Sequence, residues 1–166
     1  MNDSYKYLIA KLTSSDEPFL WEMLYQAIHV PAGSVAPLRE IVNSPELSRY
    51  VEQWGQANDF GLKAVSADDR QPFGAVWLRL MKGENRGYGY VDDLTPELSI
   101  AVLAEHRAKG VGTRLLNELF ESIAGKYKAI SLSVSDDNPA KRLYQRLGFE
   151  IINREGTSLT MKKNMI

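Results

Sequence analysis

Residues 96–113 read Pro-Glu-Leu-Ser-Ile-Ala-Val-Leu-Ala-Glu-His-Arg-Ala-Lys-Gly-Val-Gly-Thr, and the parsing of this stretch decides the fold. Leu98–Leu103 is a short apolar run containing β-branched residues, the pattern of a buried strand. Arg107–Thr113 is basic and carries Gly110 and Gly112. The sequence then becomes amphipathic at helical spacing, predicting a helix over Gly112–Gly125. Leu115, Leu116, Leu119, Phe120 and Ile123 share one face, and Arg114, Asn117, Glu118 and Glu121 the other. A strand that hands over to a helix through a glycine turn is suited to holding phosphates. The first helical turn has unpaired N–H groups and the positive end of the macrodipole, and glycine lets a ligand approach the backbone closely.

Downstream, Ala129–Ser135 alternates Ile130, Leu132 and Val134 with serines, predicting a second strand. Asn138-Pro139 supplies a cap and a first-turn proline for a helix reaching about Leu147, which Gly148 ends. Phe149–Asn153 and Leu159–Lys162 read as two further strands.

Upstream, Lys6–Leu12 reads as a strand, and Thr13–Asp16 with Pro18 opens a helix over Phe19–Ile28. Val30–Pro37 is a loop. Pro37–Trp54 is predicted helical in two pieces, broken at Asn43-Ser-Pro45. Phe60–Val65 and Phe73–Met81 form a predicted hairpin, and Lys82–Thr95 a mobile loop. This order predicts a mixed α/β sheet, antiparallel in its first half, with one right-handed parallel crossover in its second.

A chain of 166 residues with 44% hydrophobic content suits a single domain spanning 1–166. A net charge of −1 argues against a general nucleic-acid binder, including a helix-turn-helix built around Ala140–Gly148. The chain has no cysteine, which removes thiol nucleophiles, disulfides and cysteine metal sites. His29 and His106, its two histidines, show no metal spacing, so no metal is expected. Met1–Lys6 is polar, and no apolar run approaches the ~20 residues that span a bilayer. The expectation is a cytoplasmic protein with no membrane partner. The sequence leaves open whether it pairs as a homodimer.

Ile100-Ala-Val102, Arg107-Ala-Lys-Gly110-Val-Gly112, Asn138-Pro-Ala140, Tyr144 and Gly148-Phe149, in this order and context, resemble the GCN5-related N-acetyltransferases, the GNAT superfamily. The resemblance covers about Pro96 to Phe149. Two positions depart from the family pattern: Ala104 stands where proline is frequent and Ala108 where glycine is. The resemblance implies a central sheet of six to seven strands, splayed between two parallel strands, here Leu98–Leu103 and Ala129–Ser135. It implies that acetyl-CoA lies in the splay. Backbone groups of Ile100 and Val102 would bind the pantetheine arm, joined by Asn138. The amides of Ala108, Lys109, Gly110, Val111, Gly112 and Thr113 would receive the pyrophosphate, with Arg107 and Lys109 adding charge. Lys141 and Arg142 would face the nucleotide end.

Acetyl transfer to an amine needs a neutral nucleophile, a stabilised thioester oxygen and relief of charge on the departing thiolate. Tyr144 is the candidate acid, being protonated at neutral pH with a reference pKa of about 10. Glu97, at the start of the central strand, is the candidate base, Asp92 and Asp93 are its rivals, and an amine drawn already deprotonated from solution would need no dedicated base. Tyr88, Tyr90, Asp92 and Asp93 would suit a cationic acceptor. The expected reaction is acetyl transfer from acetyl-CoA to an amine of a small molecule or peptide. The alternative is a regulatory acyl-CoA-binding domain on the same fold, against which Tyr144 argues.

Overall fold

A computed structural model of the protein describes residues 6–165, so Met1–Tyr5, most of the polar N-terminal stretch, lie outside it. Seven strands form one sheet: β1 (Tyr7–Lys11), β2 (Phe60–Ser66), β3 (Pro72–Arg79), β4 (Glu97–Val102), β5 (Ala129–Ser135), β6 (Glu150–Glu155) and β7 (Ser158–Asn164). Their order is β1-β2-β3-β4-β5-β7-β6. All neighbours are antiparallel except β4 and β5, which are parallel. Four α-helices accompany the sheet: α1 (Glu17–Gln26), α2 (Pro45–Ser48), α3 (Val111–Ser122) and α4 (Ala140–Arg146).

The strand alternation divides the core into two layers. Ala75, Trp77 and Ala101 point to one face, where they meet Leu20, Met23 and Leu24 of α1 and Tyr50, Val51 and Trp54. Val76, Leu78 and Leu98 point to the other, against Leu115, Leu116 and Leu119 of α3 and Tyr144 of α4. Burial on both faces explains why β3 is a continuous apolar run from Phe73 to Leu78, broken only by Gly74.

Two sequence expectations change, and the fold settles the order of the last two strands, which the sequence left open. Residues 37–54 hold less helix than predicted: a 3-10 turn at Arg39–Asn43, the single turn of α2 and further turns, with the break falling at Ser44-Pro45. Sequence order does not set the position of the last two strands. β7, with Leu159, Thr160 and Met161 buried, takes the inner place beside β5, while the exposed β6 takes the edge. The segment 82–95 is tied down. The Arg49 guanidinium donates to the carbonyls of Arg86 (2.5 Å) and Glu84 (3.3 Å), and Ser131 Oγ donates to the Gly89 carbonyl at 2.7 Å.

Residues 49–59 carry part of the candidate site and are anchored by a buried ion pair. Arg79 at the end of β3 forks onto Asp59, Nε to Oδ1 at 3.1 Å and Nη2 to Oδ2 at 2.8 Å. Its Nη1 donates to the carbonyls of Arg49 and Glu52. Both side chains are thereby hydrogen-bonded, the condition under which a buried pair is tolerated.

Candidate active site

β4 and β5 touch at a single parallel bridge, Glu97 with Ser131, where the Ser131 N–H donates to the Pro96 carbonyl at 3.0 Å. Beyond it the strands separate. Leu103 donates its N–H to Phe73 across the β3 side, so the alternate groups at Ile100 and Val102 face β5. With β5 gone, the N–H and C=O of Ile100 and the N–H of Val102 have no strand partner among the described residues. Groups of this kind need a partner if buried. The Val102 carbonyl has one, because Arg107 Nε donates to it at 2.7 Å. Arg107 Nη2 also reaches Gln26 Oε1 at 3.4 Å, linking the end of α1 to the turn before α3.

That turn opens α3. Ala108 and Gly110 both have positive φ, 60° and 81°. The left-handed residue at 110 aims the first N–H groups of α3, those of Val111, Gly112 and Thr113, along the helix axis with no intrahelical acceptor. A Cβ on Gly112 would meet only Ile100 Cδ1, at 3.8 Å, so this side of the turn is open. Alanine pays for the left-handed conformation with a steric cost of about 1–2 kcal/mol, against about 0.5–1 kcal/mol of extra chain entropy for glycine. Ala108→Gly is therefore expected to stabilise the fold by about 0.5–1 kcal/mol. A urea titration checks this, and a lowered midpoint would show the turn to be unstrained.

A cleft of about 790 Å³ runs along the splay. Ile100, Val102, Arg107, Ala108, Gly110, Val111, Gly112, Thr113, Asn138 and Tyr144 all line it, as do Val30, Ala36 and Pro37 of the 30–37 loop. Lys109, Lys141 and Arg142 are not among the lining residues. Lys141 Nζ instead bonds Asp136 Oδ1 at 2.8 Å, while Arg154 holds Oδ2 at the same distance. These two cations hold the Asp136 carboxyl down at about 2. Asn138 acts as a cap, its Oδ1 accepting the Ala140 N–H at 2.9 Å, and it also lines the cleft.

A second cleft of about 360 Å³ lies against the α1 side of β4 and contains Glu97. Ala27, Ile28, His29, Ile100, Asn138 and Tyr144 line both clefts, so the two meet there. Tyr144 is 8% exposed, and burial pushes its phenol up to about 12.

Glu97 is 4% exposed. Its Oε2 accepts the Tyr50 hydroxyl, and Tyr50 in turn accepts the Tyr88 N–H at 2.8 Å. Its Oε1 is buried with no side-chain donor. Burial raises the carboxyl to about 7, outweighing the Tyr50 hydroxyl and the Gly89 backbone N–H, which pull it down. The Tyr50 phenol is pushed up, first by burial and then by the Glu97 charge. The 86–90 loop closes on this pair so tightly that a Cβ on Gly89 would fall 2.7 Å from the carbonyl carbon of Leu132.

The other residues expected on the acceptor side separate. Tyr88 lines the second cleft; Tyr90, Asp92 and Asp93 do not. Asp92 closes its own turn, accepting from Leu94 N–H and Thr95 Oγ1, and Asp93 accepts the Tyr90 hydroxyl. Two residues given no role by sequence reasoning stand at the site. Tyr50 sits 47 positions from the carboxylate it holds. His29 lines both clefts with Nε2 at 3.2 Å from Asp137 Oδ1. Neither carries a local sequence signal for its position. Among the described residues no group of side chains is arranged to hold a metal ion, and no helix is long and apolar enough to cross a membrane.

In comparisons with known proteins, no curated protein matches significantly. Solved structures match along nearly the whole chain. The PaiA N-acetyltransferase of Thermoplasma acidophilum, in complex with coenzyme A, is 20% identical with a TM-score of 0.67, covering 96% of this chain and 99% of that one. A GNAT-family acetyltransferase of Streptococcus pneumoniae is 19% identical, TM-score 0.67, with coverages of 97% and 100%. NAA60 of Arabidopsis thaliana, in complex with acetyl-CoA, is 16% identical, TM-score 0.63, with coverages of 96% and 99%. These likenesses establish the splayed mixed sheet as a GNAT fold. The acetyltransferase (GNAT) domain family matches residues 64–151, which run from β2 through the glycine turn to the start of β6. With more than half of its length matched, the chain belongs to the GNAT acetyltransferases.

Proposed function

We propose that the protein transfers an acetyl group from acetyl-CoA to a primary amine by direct attack within a ternary complex. The observation that carries this reading is the meeting of the two clefts at Tyr144, one edged by unpaired strand and helix N–H groups, the other containing a buried carboxylate. The residues present fit the donor. Pantetheine amides would pair with Ile100 and the Val102 N–H in the manner of an added strand. Ala108–Thr113 would take the pyrophosphate on the first N–H groups of α3. Arg107 contributes charge at the cleft mouth. Lys109, Lys141 and Arg142 stand away from the lining and would act on the nucleotide end only by rearranging.

On the acceptor side, Glu97 takes a proton from the bound ammonium, leaving the lone pair free to attack. The amine nitrogen bonds to the carbonyl carbon, the C–S bond breaks with the electron pair going to sulfur, and the second N–H proton, shed as the neutral amide forms, passes to that sulfur to give the CoA thiol. Backbone N–H in the Ile100 region would stabilise the thioester oxygen. Tyr144, with its proton held tightly by burial, donates a hydrogen bond to the departing sulfur. A thiol's reference pKa is about 8.5, so complete transfer from a phenol near 12 runs uphill. Burial in the same cleft raises the thiolate's basicity and narrows that gap.

Acetyl-CoA at about a hundred times its Kd is expected to raise the melting temperature by roughly 5–10 °C. Gly112→Trp, which places an indole over the open side of the turn, is expected to weaken acetyl-CoA at least about tenfold and remove most of that shift. An unchanged Kd in the variant would put the phosphates elsewhere.

A further inference from the structure

The charges in the second cleft indicate the class of amine. Among the described residues Glu97 is the only acidic side chain that lines it, and no lysine or arginine does. His29 also lines it, its buried Nε2 lying 3.2 Å from Asp137 Oδ1 without making a hydrogen bond. The carboxylates nearest in sequence, Asp92 and Asp93, are used in their own loop and do not reach the cleft. Arg79, the β3 register partner of Glu97, is held by Asp59. The α1 side of the wall is apolar: Leu24, Ala27, Ile28, Ile41 and Leu47. Ile41 and Tyr88 remain 39% and 58% exposed, so the apolar surface continues outward to the mouth. The hydroxyls on the β5 side are partly satisfied within the protein, with Ser133 Oγ 3.2 Å from Ser158 Oγ.

From this arrangement we infer that the acceptor is a monoamine with an apolar body, its single ammonium on Glu97 and its hydrocarbon against the α1 wall. This rests on the amine-transfer reading above and narrows it. A second ammonium, as in a polyamine, would find no second carboxylate among the described residues that line the cleft. The carboxylate of a free amino acid would find no cation. Either charge would be desolvated against apolar side chains without a counter-charge, which is costly. The apolar body gains by covering surface that water now contacts.

The test uses matched pairs of acceptors under saturating acetyl-CoA, with CoA thiol release as the signal. The protein has no cysteine, so a thiol reagent reports product alone. Pentylamine is compared with cadaverine, the same chain with an amine at each end. Phenethylamine is compared with phenylalanine, the same skeleton with an added carboxylate. The expected result is a kcat/KM about 100-fold higher for each monoamine, the scale on which an unpaired charge is rejected. Ile41→Asp, which adds a carboxylate at the partly exposed rim, is expected to move the cadaverine-to-pentylamine ratio at least about tenfold toward cadaverine. Equal or better turnover of cadaverine or phenylalanine by the unaltered protein would overturn the acceptor class and leave amine acetylation standing. If acetyl-CoA binds calorimetrically yet none of the four amines is turned over, both the acceptor class and the amine-transfer reading fall.

Discussion

Glu97→Gln is expected to lower kcat by about 1,000-fold and, at the same time, to make the protein more stable above neutral pH. The two effects have one cause. Burial holds the Glu97 carboxyl near 7, against an ordinary value of 4.5, so the native state keeps a proton that the unfolded chain would release. Between those values the native state therefore binds more protons than the unfolded state. The stability from this group is complete below about 4.5 and is lost as pH rises through about 7. Glutamine stays neutral and avoids the loss. The gain at pH 8 is up to roughly 3 kcal/mol, the worth of the whole shift, and denaturant titrations at pH 5 and pH 8 measure it.

The kinetic half has its own signature. With Glu97 as base, the rate rises with pH through about 7 and then levels, because the carboxylate must be ionised to take the ammonium proton. Without a base, the rate would climb tenfold per pH unit toward the amine's own pKa, near 10 as for a lysine side chain. A wild-type profile that keeps climbing past pH 8 would remove Glu97 from the chemistry. Tyr50 is a positioning residue in this scheme. Its hydroxyl holds Oε2 and leaves Oε1 as the atom without a side-chain donor.

Tyr144→Phe should reduce kcat about 100-fold while leaving the Kd for acetyl-CoA nearly unchanged. The phenyl ring keeps the packing of Tyr144 on Phe149, where the ring centroids lie 5.9 Å apart, so the fold is retained. Only the hydroxyl is lost, and among the described residues it makes no hydrogen bond that its removal would orphan. A hydroxyl acting on the leaving sulfur affects the transition state and hardly affects ground-state binding, so the loss appears in kcat. Acetyl thioesters with more acidic thiols, which leave without help, should shrink the difference between variant and wild type. Equal turnover by Tyr144→Phe would assign the residue to the core alone.

Much of this was legible in the chain because the relevant physics is local. Leu98–Leu103 is apolar at strand spacing, Gly110 supplies a left-handed residue, and Val111–Ser122 is amphipathic at helical spacing; each condition involves residues within a few positions of one another. The departure at 108 was legible too, as alanine where the family favours glycine, and its cost appears as a positive φ. The acceptor side was not legible in the same way. The residue types of Tyr88, Tyr90, Asp92 and Asp93 suggested one pocket for a cationic amine, but the loop's own hydrogen bonds withdraw three of the four.

By itself the sequence determined the succession of elements, the glycine turn that opens α3 and the candidacy of Glu97 and Tyr144, because periodicity and turn chemistry are written in neighbouring residues. Only the tertiary structure decided that β7 lies inside β6, that Tyr50 grips Glu97, that Lys141 is committed to Asp136, and that, among the described residues, one carboxylate lines the second cleft. These depend on burial and on contacts between residues distant in sequence. Desolvation, which lifts Glu97 to about 7, comes into being only when the sheet, α1 and the 86–90 loop close around it.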